Sequence, residues 1–225
     1  MIDYLKAHRW LPAISVFRAA GLSLLCLIAG CTSPEEGAST ASPINPASQP
    51  VNCTDVSDAC ANQYLDRTRA CAQMVNTGSG QADDASRQCA ESNYEAAVAH
   101  APMSGGENTR TKALIGLAES LKEIRDNARS QSDQITAQQK LDVTLNALTQ
   151  QRDGQPYAQY FRADSLVAET RTQALAPADV CARLHQALES LPAATNAPPN
   201  SPLDNRVNRL RNAIDFYTQQ RSCQQ

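Results

Sequence analysis

The chain has 225 residues, with 20 basic and 23 acidic side chains and a formal net charge of −3 at pH 7. Apolar residues make up 42% of it, enough for a hydrophobic core, and only 4% are aromatic. This composition excludes collagen-like, fully disordered and multi-span membrane proteins. The mild acidity argues against a nucleic-acid-binding protein, because such proteins usually present a basic surface.

The first 30 residues have the pattern of an export signal. Lys6, Arg9 and Arg18 make the beginning of the chain positive, and an apolar run covers residues 19–30. The run is shorter than the roughly 20 residues that a membrane-spanning helix needs. Its length fits the hydrophobic region of a signal peptide. We therefore expect residues 1–30 to be cleaved from the mature protein.

The apolar run ends with Ile28, Ala29, Gly30 and Cys31. This sequence resembles the lipobox of bacterial lipoproteins, in which an aliphatic residue, a small residue and Gly or Ala precede Cys. The resemblance implies cleavage between Gly30 and Cys31, a lipid on the Cys31 thiol, and an acylated amino terminus such as a palmitoyl amide. Thr32, where some lipoproteins carry Asp, implies outer-membrane delivery with the body facing the periplasm. A chance cysteine after an ordinary signal peptide is the alternative.

Residues 31–52 are interpreted as the lipidated cysteine followed by a flexible tether. Pro, Ser, Ala, Thr and Gly dominate the segment, and Ile44 is the single large apolar residue of positions 32–50. Such a segment cannot bury enough apolar surface to offset the entropy of ordering. About 19 flexible residues reach roughly 25 Å. We expect one folded domain to occupy residues 53–225.

The domain shows the apolar spacing of helices and no clear run of strict alternation. Helices are predicted at 55–76, 83–101, 109–128, 132–151, 157–173, 177–191 and from 201 onward, with Gly or Pro between them. Pro192 is expected to end the sixth helix, and Ser201 to cap the seventh. Short connections predict antiparallel neighbours. The expected fold is all-α, with about seven helices forming antiparallel hairpins in a bundle or a short irregular solenoid.

Four alanines occupy similar places in the predicted helices, 45 to 50 residues apart: Ala70, Ala118, Ala163 and Ala213. The segments 114–121 and 160–166 around two of them weakly resemble the first helices of tetratricopeptide-like repeats. The resemblance implies a solenoid of helix pairs. The period is not the 34 residues of that family, so an irregular bundle is the alternative.

Six cysteines remain in the expected mature body, and export would place them in an oxidising compartment. Six thiols allow 15 pairings. Cys71 and Cys89 lie equally far from a glycine turn, so they should face each other in a hairpin. Cys181 and Cys223 should meet where the last two helices form a hairpin. Cys53 and Cys60 are the two that remain, so the predicted disulfides are Cys71–Cys89, Cys181–Cys223 and Cys53–Cys60. A redox pair is not favoured, because the mature chain has no Cys-x-x-Cys motif.

Motifs that carry catalysis are missing from the sequence. It has no Gly-x-Ser-x-Gly, no His-Glu-x-x-His and no phosphate-binding glycine loop. His100 and His185 are too far apart in the sequence to predict a zinc site. Lys122 and Arg125, interleaved with glutamates, indicate a solvated helix face. We expect no catalytic residue, no metal, no cofactor and no enzyme activity.

Two features are candidates for contact with a partner. Arg206 and Arg209 share one helical face at a spacing of three residues. Tyr157, Tyr160 and Phe161 form the richest aromatic patch. Aromatic residues at this spacing usually belong to a core, but exposed ones are strong interface anchors.

The sequence thus predicts a lipid-anchored, periplasm-facing lipoprotein that acts as an interaction, scaffold or accessory component of an envelope assembly. The expected partners are a membrane, through Cys31, and a protein of the cell envelope, but not nucleic acid. The alternative is a lipoprotein that binds a small molecule or a peptidoglycan fragment in a concave pocket. A glycan hydrolase with two carboxylates is a third, less favoured possibility.

Overall fold

The computed structural model describes residues 51–73, 80–103, 108–194 and 202–223, without the side chains of 73, 80–83 and 192–194. These residues belong to one compact unit and form seven helices and no strand, which confirms the all-α prediction. None of the described helices has the length and apolarity to cross a bilayer. The helices are α1 Asp58–Gln73, α2 Gly80–His100, α3 Thr109–Asp126, α4 Gln131–Thr149, α5 Gln155–Thr172, α6 Pro177–Ala194 and α7 Pro202–Gln220.

Several predictions lie outside the described residues. They are the signal peptide, the cleavage site at Gly30 and Cys31, most of the tether, and the capping role of Ser201. The expected function and location that depend on these segments therefore stay predictions.

At three helix boundaries the prediction was wrong because Gly and Pro were expected to interrupt helices. Gly80 is the first residue of α2, and Pro156 lies in the first turn of α5. A proline is tolerated there because the first N–H groups of a helix have no intrahelical partner. Pro192 does not end α6, which continues to Ala194. A proline removes one hydrogen bond and strains the preceding turn, but two further residues can still follow it.

The helices pack in adjacent pairs along the chain, from α1 with α2 to α6 with α7. The odd-numbered helices also contact one another in order, α1 with α3, α3 with α5 and α5 with α7. Of the four alanines predicted to occupy similar places, Ala70, Ala118 and Ala163 are buried on α1, α3 and α5, whereas Ala213 on α7 is only half-buried. Similarity to tetratricopeptide repeats stays a prediction.

The large apolar side chains form two core clusters that meet at α5. One cluster joins α3, α4 and α5 around Leu114, Leu145 and Phe161. The other joins α5, α6 and α7 around Leu184 and Ile214. Because α5 contributes to both clusters, its position determines how the two halves of the domain meet.

The α1–α2 pair is stabilised differently, because its fully buried apolar residues are small. They are alanines and cysteines: Cys60, Ala61, Ala70, Cys71, Ala97 and Ala101. Two of the three disulfides, Cys53–Cys60 and Cys71–Cys89, lie in this part of the chain. Covalent links thus reinforce a pair of helices whose described buried apolar side chains are small.

The third disulfide, Cys181–Cys223, links α6 to the end of α7, so all three predicted pairings are present. Beyond α7 the chain turns back at Ser222, whose φ of 53° is left-handed. The Cys223 N–H then donates to the carbonyl of Thr218 at 3.0 Å. This bond satisfies a carbonyl at the helix end and directs Cys223 toward α6.

Candidate functional site

Four of the five residues predicted to contact a partner lie together where α5 and α7 meet. Tyr157 and Tyr160 are half-buried, and both pack against the two core clusters. The charge of Arg206 interacts electrostatically with both tyrosines. The charge of Arg209 interacts with Tyr160, and the Arg209 side chain is exposed. These four residues therefore combine half-buried rings with the exposed charge of Arg209.

Phe161, the fifth predicted contact residue, is a core residue instead. Only 1% of it is exposed. Consecutive helical side chains point about 100° apart, so Phe161 faces inward while Tyr160 reaches the surface. The two rings pack edge to face, with centroids 5.1 Å apart. Phe161 thus supports the ring of Tyr160 and is not available to a partner.

An ion pair between Arg206 and Glu119 links α7 to α3. Burial opposes the charge on Arg206, but the hydrogen bond and the charge of Glu119 outweigh it and raise the pKa of Arg206. Both side chains remain about one-third exposed. We call the surface formed by Glu119, Tyr157, Tyr160, Arg206 and Arg209 the contact face.

The hydroxyl of Tyr160 is surrounded by charges of both signs. Burial and the carboxylate of Asp164 raise the pKa of Tyr160, while Lys122, Arg206 and Arg209 act in the opposite direction. The net shift is upward, so the hydroxyl stays protonated at neutral pH. It is therefore able to donate a hydrogen bond to a partner.

Behind the contact face lies a buried network around Arg125, whose side chain is 3% exposed. Its guanidinium donates to Asp164 at 3.0 Å, to Asp126 at 2.8 Å, to the Ser165 hydroxyl at 2.8 Å and to Gln138 at 3.1 Å. These partners belong to α3, α4 and α5. The guanidinium therefore joins three helices through hydrogen bonds that balance its desolvation.

Lys122 completes this network, with its ammonium 2.7 Å from Asp126 and 3.5 Å from Asp164. Burial disfavours the charge on Lys122, but the two carboxylates outweigh burial and raise the pKa of Lys122. Burial likewise opposes ionisation of Asp126, but Lys122 and Arg125 outweigh it and lower the pKa of that carboxyl.

The sequence prediction of a solvated face at Lys122 and Arg125 was wrong for Arg125. Arg125 follows Leu121 by four residues, so helical spacing places it on the buried stripe. Asp164 likewise interrupts the apolar face of α5. Two opposite charges that each interrupt an apolar stripe could have indicated a buried ion pair. Arg125 and Asp164 are 39 residues apart in the sequence, however, so only the tertiary structure shows that they pair.

The network offers little for acid–base chemistry. A glycoside hydrolase needs a carboxylic acid whose pKa is raised. The carboxyl of Asp126 is shifted the other way. In the described part of the chain, no three His, Cys, Asp and Glu side chains are grouped to hold a metal.

Two open grooves flank these residues. One, of about 420 Å³, lies between α1, α2 and α3 and is lined by Tyr94, Glu119 and Glu123. The other, of about 890 Å³, lies between the first half of α4 and the second half of α5, beside Arg125. Comparison with protein-family models, curated proteins and solved structures found no match to this chain. The function of the protein is therefore inferred from its own residues.

Proposed function

We propose that the protein is a bacterial lipoprotein, held at the outer membrane by a lipid on Cys31, that binds a protein partner in the cell envelope through the contact face. In this proposal it acts as a scaffold or accessory component and catalyses no reaction.

The lipid attachment is supported by the sequence alone. A positive segment, an apolar run and the sequence Ile28-Ala29-Gly30-Cys31 follow one another in the order that lipoprotein signals have. Three disulfides in the folded body are consistent with an oxidising compartment. Several acyl chains together would hold the protein at a bilayer far better than one.

The observation that carries the contact proposal is the meeting of Tyr157 and Tyr160 with Arg206 and Arg209. Tyr and Arg are the residue types that most often dominate binding energy at interfaces. The rings are already packed against the core, so little side-chain entropy is lost when a partner binds. Arg209 supplies an exposed positive charge, which favours a partner surface with carboxylates.

The test is chemical cross-linking in living cells with a tagged full chain. We expect specific cross-linked partners for the unaltered chain. Their yield should fall at least severalfold with the double substitution Arg206→Gln and Arg209→Gln, and they should disappear with Cys31→Ser. The control pair, Arg69→Gln with Arg171→Gln, removes the same charge from exposed positions on α1 and α5.

Two results would count against the proposal. Equal partner capture by the contact-face and control variants would show that the contact face does not bind the partner. Unchanged capture with Cys31→Ser would show that binding does not require the lipid. Circular dichroism of each variant shows whether it has folded, so that loss of capture is not confused with loss of structure.

The ligand-binding alternative retains one specific observation in its favour. Such a protein needs a concave pocket with convergent polar groups, and the groove beside Arg125 has both features. If no partner is captured, this groove is the place to search for a bound small molecule.

A further inference from the structure

The groove between α4 and α5, which we call the amide groove, is lined by many uncharged side chains. Its volume of about 890 Å³ lies within the range of ligand sites. The glutamine side chains on its wall are Gln131, Gln134, Gln138, Gln139 and Gln173. Four of them belong to the first half of α4, where helical spacing places them along one side.

Most of these amides are free to bind a ligand. Gln138 is held by Arg125 and Asp142. The side chains of the other four glutamines make no hydrogen bond with any residue in the described ranges. A primary amide offers two N–H donors and a carbonyl acceptor, which can pair with the single carbonyl and the single N–H of a peptide bond.

The charges that line the amide groove already have partners. Asp126 binds Arg125 and Lys122, Glu169 lies 3.2 Å from Arg183, and Arg129 lies 2.9 Å from Asp84. The charged side chains on the wall are two cations and two anions, so the lining has no net charge that would select a charged ligand: Arg125, Arg129, Asp126 and Glu169.

The dimensions of the groove favour an extended chain. Positions 131 to 139 of α4 span about 12 Å at 1.5 Å per residue, which is the length of about four residues of extended peptide. Ile135 lies in the middle of this stretch and is 49% exposed, so it offers contact to one apolar side chain. None of the lining residues is aromatic, so a planar ring or sugar face would find no ring to stack on.

From these features we propose that the amide groove binds a short, extended and uncharged peptide segment, about four residues long, by hydrogen bonds to its main chain. An apolar side chain of that segment packs on Ile135. The proposal requires neither the lipid on Cys31 nor the contact face, so it stands or falls independently of the proposed function.

The test uses the ¹⁵N-labelled full chain in mild detergent and follows the side-chain NH₂ signals of its glutamines by NMR. The probes are acetyl-Ala-X-Ala-Ala-amides, with X as Ala, Val, Leu or Phe, and the same peptides methylated on every main-chain nitrogen. Chitotetraose represents an uncharged sugar chain. We expect the Leu, Val or Phe peptide to shift the signals of Gln134 and Gln139, and its methylated form to bind about tenfold more weakly or worse.

The variant for this test is Gln134→Ala with Gln139→Ala, and the control is Gln63→Ala with Gln186→Ala, at exposed positions on α1 and α6. The groove variant should weaken peptide binding about tenfold or more, because two hydrogen bonds to the peptide are lost. The control should bind as the unaltered chain does. The proposal is wrong if no peptide shifts these signals, if methylation or the groove variant leaves affinity unchanged, or if only chitotetraose binds.

Discussion

Arg125 shows most clearly how one residue holds several helices together. Its guanidinium is almost completely buried, and it binds groups on α3, α4 and α5. Replacing one well-packed buried ion pair by apolar residues is often harmless, but removing only one partner leaves a buried charge without compensation.

Arg125→Met should therefore destabilise the protein by up to about 3–5 kcal/mol, because Asp164, whose side chain is 13% exposed, loses its nearer cation and keeps only Lys122, at 3.5 Å. Arg69→Met is the control, since Arg69 and Asp66 form an ion pair that is mostly in solvent. Such pairs contribute about 1 kcal/mol or less. Urea unfolding at pH 7 measures both changes, and a loss below about 1 kcal/mol for Arg125→Met would show that the network is not stabilising.

Asp126 makes stability depend on acid pH. Lys122 and Arg125 lower its pKa in the folded state below the usual 3.8, so the unfolded chain binds the proton first. Asp126 therefore adds stability above pH 3.8, and this contribution is lost as the pH falls through the lower folded value. With Asp126→Asn, urea unfolding between pH 6 and 2 should show a lower starting stability and a shallower acid loss. Parallel curves for the two proteins would contradict this assignment.

At the scale of helices, Gly116 sets how closely α3 approaches α2. A Cβ at this position would overlap the ring of Tyr94. Helix propensity alone would make Gly116→Ala favourable by about 1 kcal/mol, whereas overpacking costs about 1–3 kcal/mol. We expect the clash to win, with a net destabilisation of about 1 kcal/mol in thermal or urea unfolding.

A second substitution separates these two effects. In a Tyr94→Leu background the ring is gone, so Gly116→Ala should change sign and become stabilising. This sign change is the signature of direct coupling in a double-mutant cycle. Destabilisation of equal size in both backgrounds would instead indicate that the backbone at 116 does not accept alanine.

The disulfides should stabilise the folded protein by amounts that depend on the length of the loop each one closes. Loop closure by Cys181–Cys223, with a sequence separation of 42, should contribute about 4 kcal/mol. The corresponding value for Cys53–Cys60, with a separation of 7, is about 2.5 kcal/mol. Replacing each pair with serines should rank the losses in that order in non-reducing urea unfolding. The reverse order would indicate that α6 and α7 already hold their ends together in the unfolded ensemble.

The seven helices could be predicted because their burial follows local spacing. Leu203, Val207, Leu210 and Ile214, for example, recur at helical intervals and are buried together. Two of the disulfides followed from the geometry of hairpins, and the third was assigned to the two remaining cysteines. The ends of the helices were predicted less reliably from proline, since Pro156 and Pro192 lie within helices.

The candidate site could be predicted only in part, because its contacts are not local. Arg206 and Arg209 repeat on one helical face, so the sequence indicates them. Their meeting with Tyr160 depends on how α7 packs against α5, which periodicity does not contain. The burial of Phe161 and the pairing of Arg125 with Asp164 depend on the same long-range packing.

At the scale of the whole molecule, the chain order separates the proposed lipid attachment from the proposed binding surface. The segment after Cys31 leads into α1, whereas the contact face is built mainly from α5 and α7. The odd-numbered helices contact one another in sequence, and α3 joins the contact face through Glu119. In the sequence, the helices that form most of this face lie far from the proposed lipid attachment.

Photo-cross-linking in living cells can test whether the protein, held at a membrane by its lipid, binds a partner through the contact face. A photoreactive residue is placed at position 209 on the contact face, or at exposed position 171 on α5 as the control. We expect a discrete cross-linked product from position 209 that is absent from position 171 and is lost with Cys31→Ser. No product from position 209, or the same product from both positions, would contradict the account.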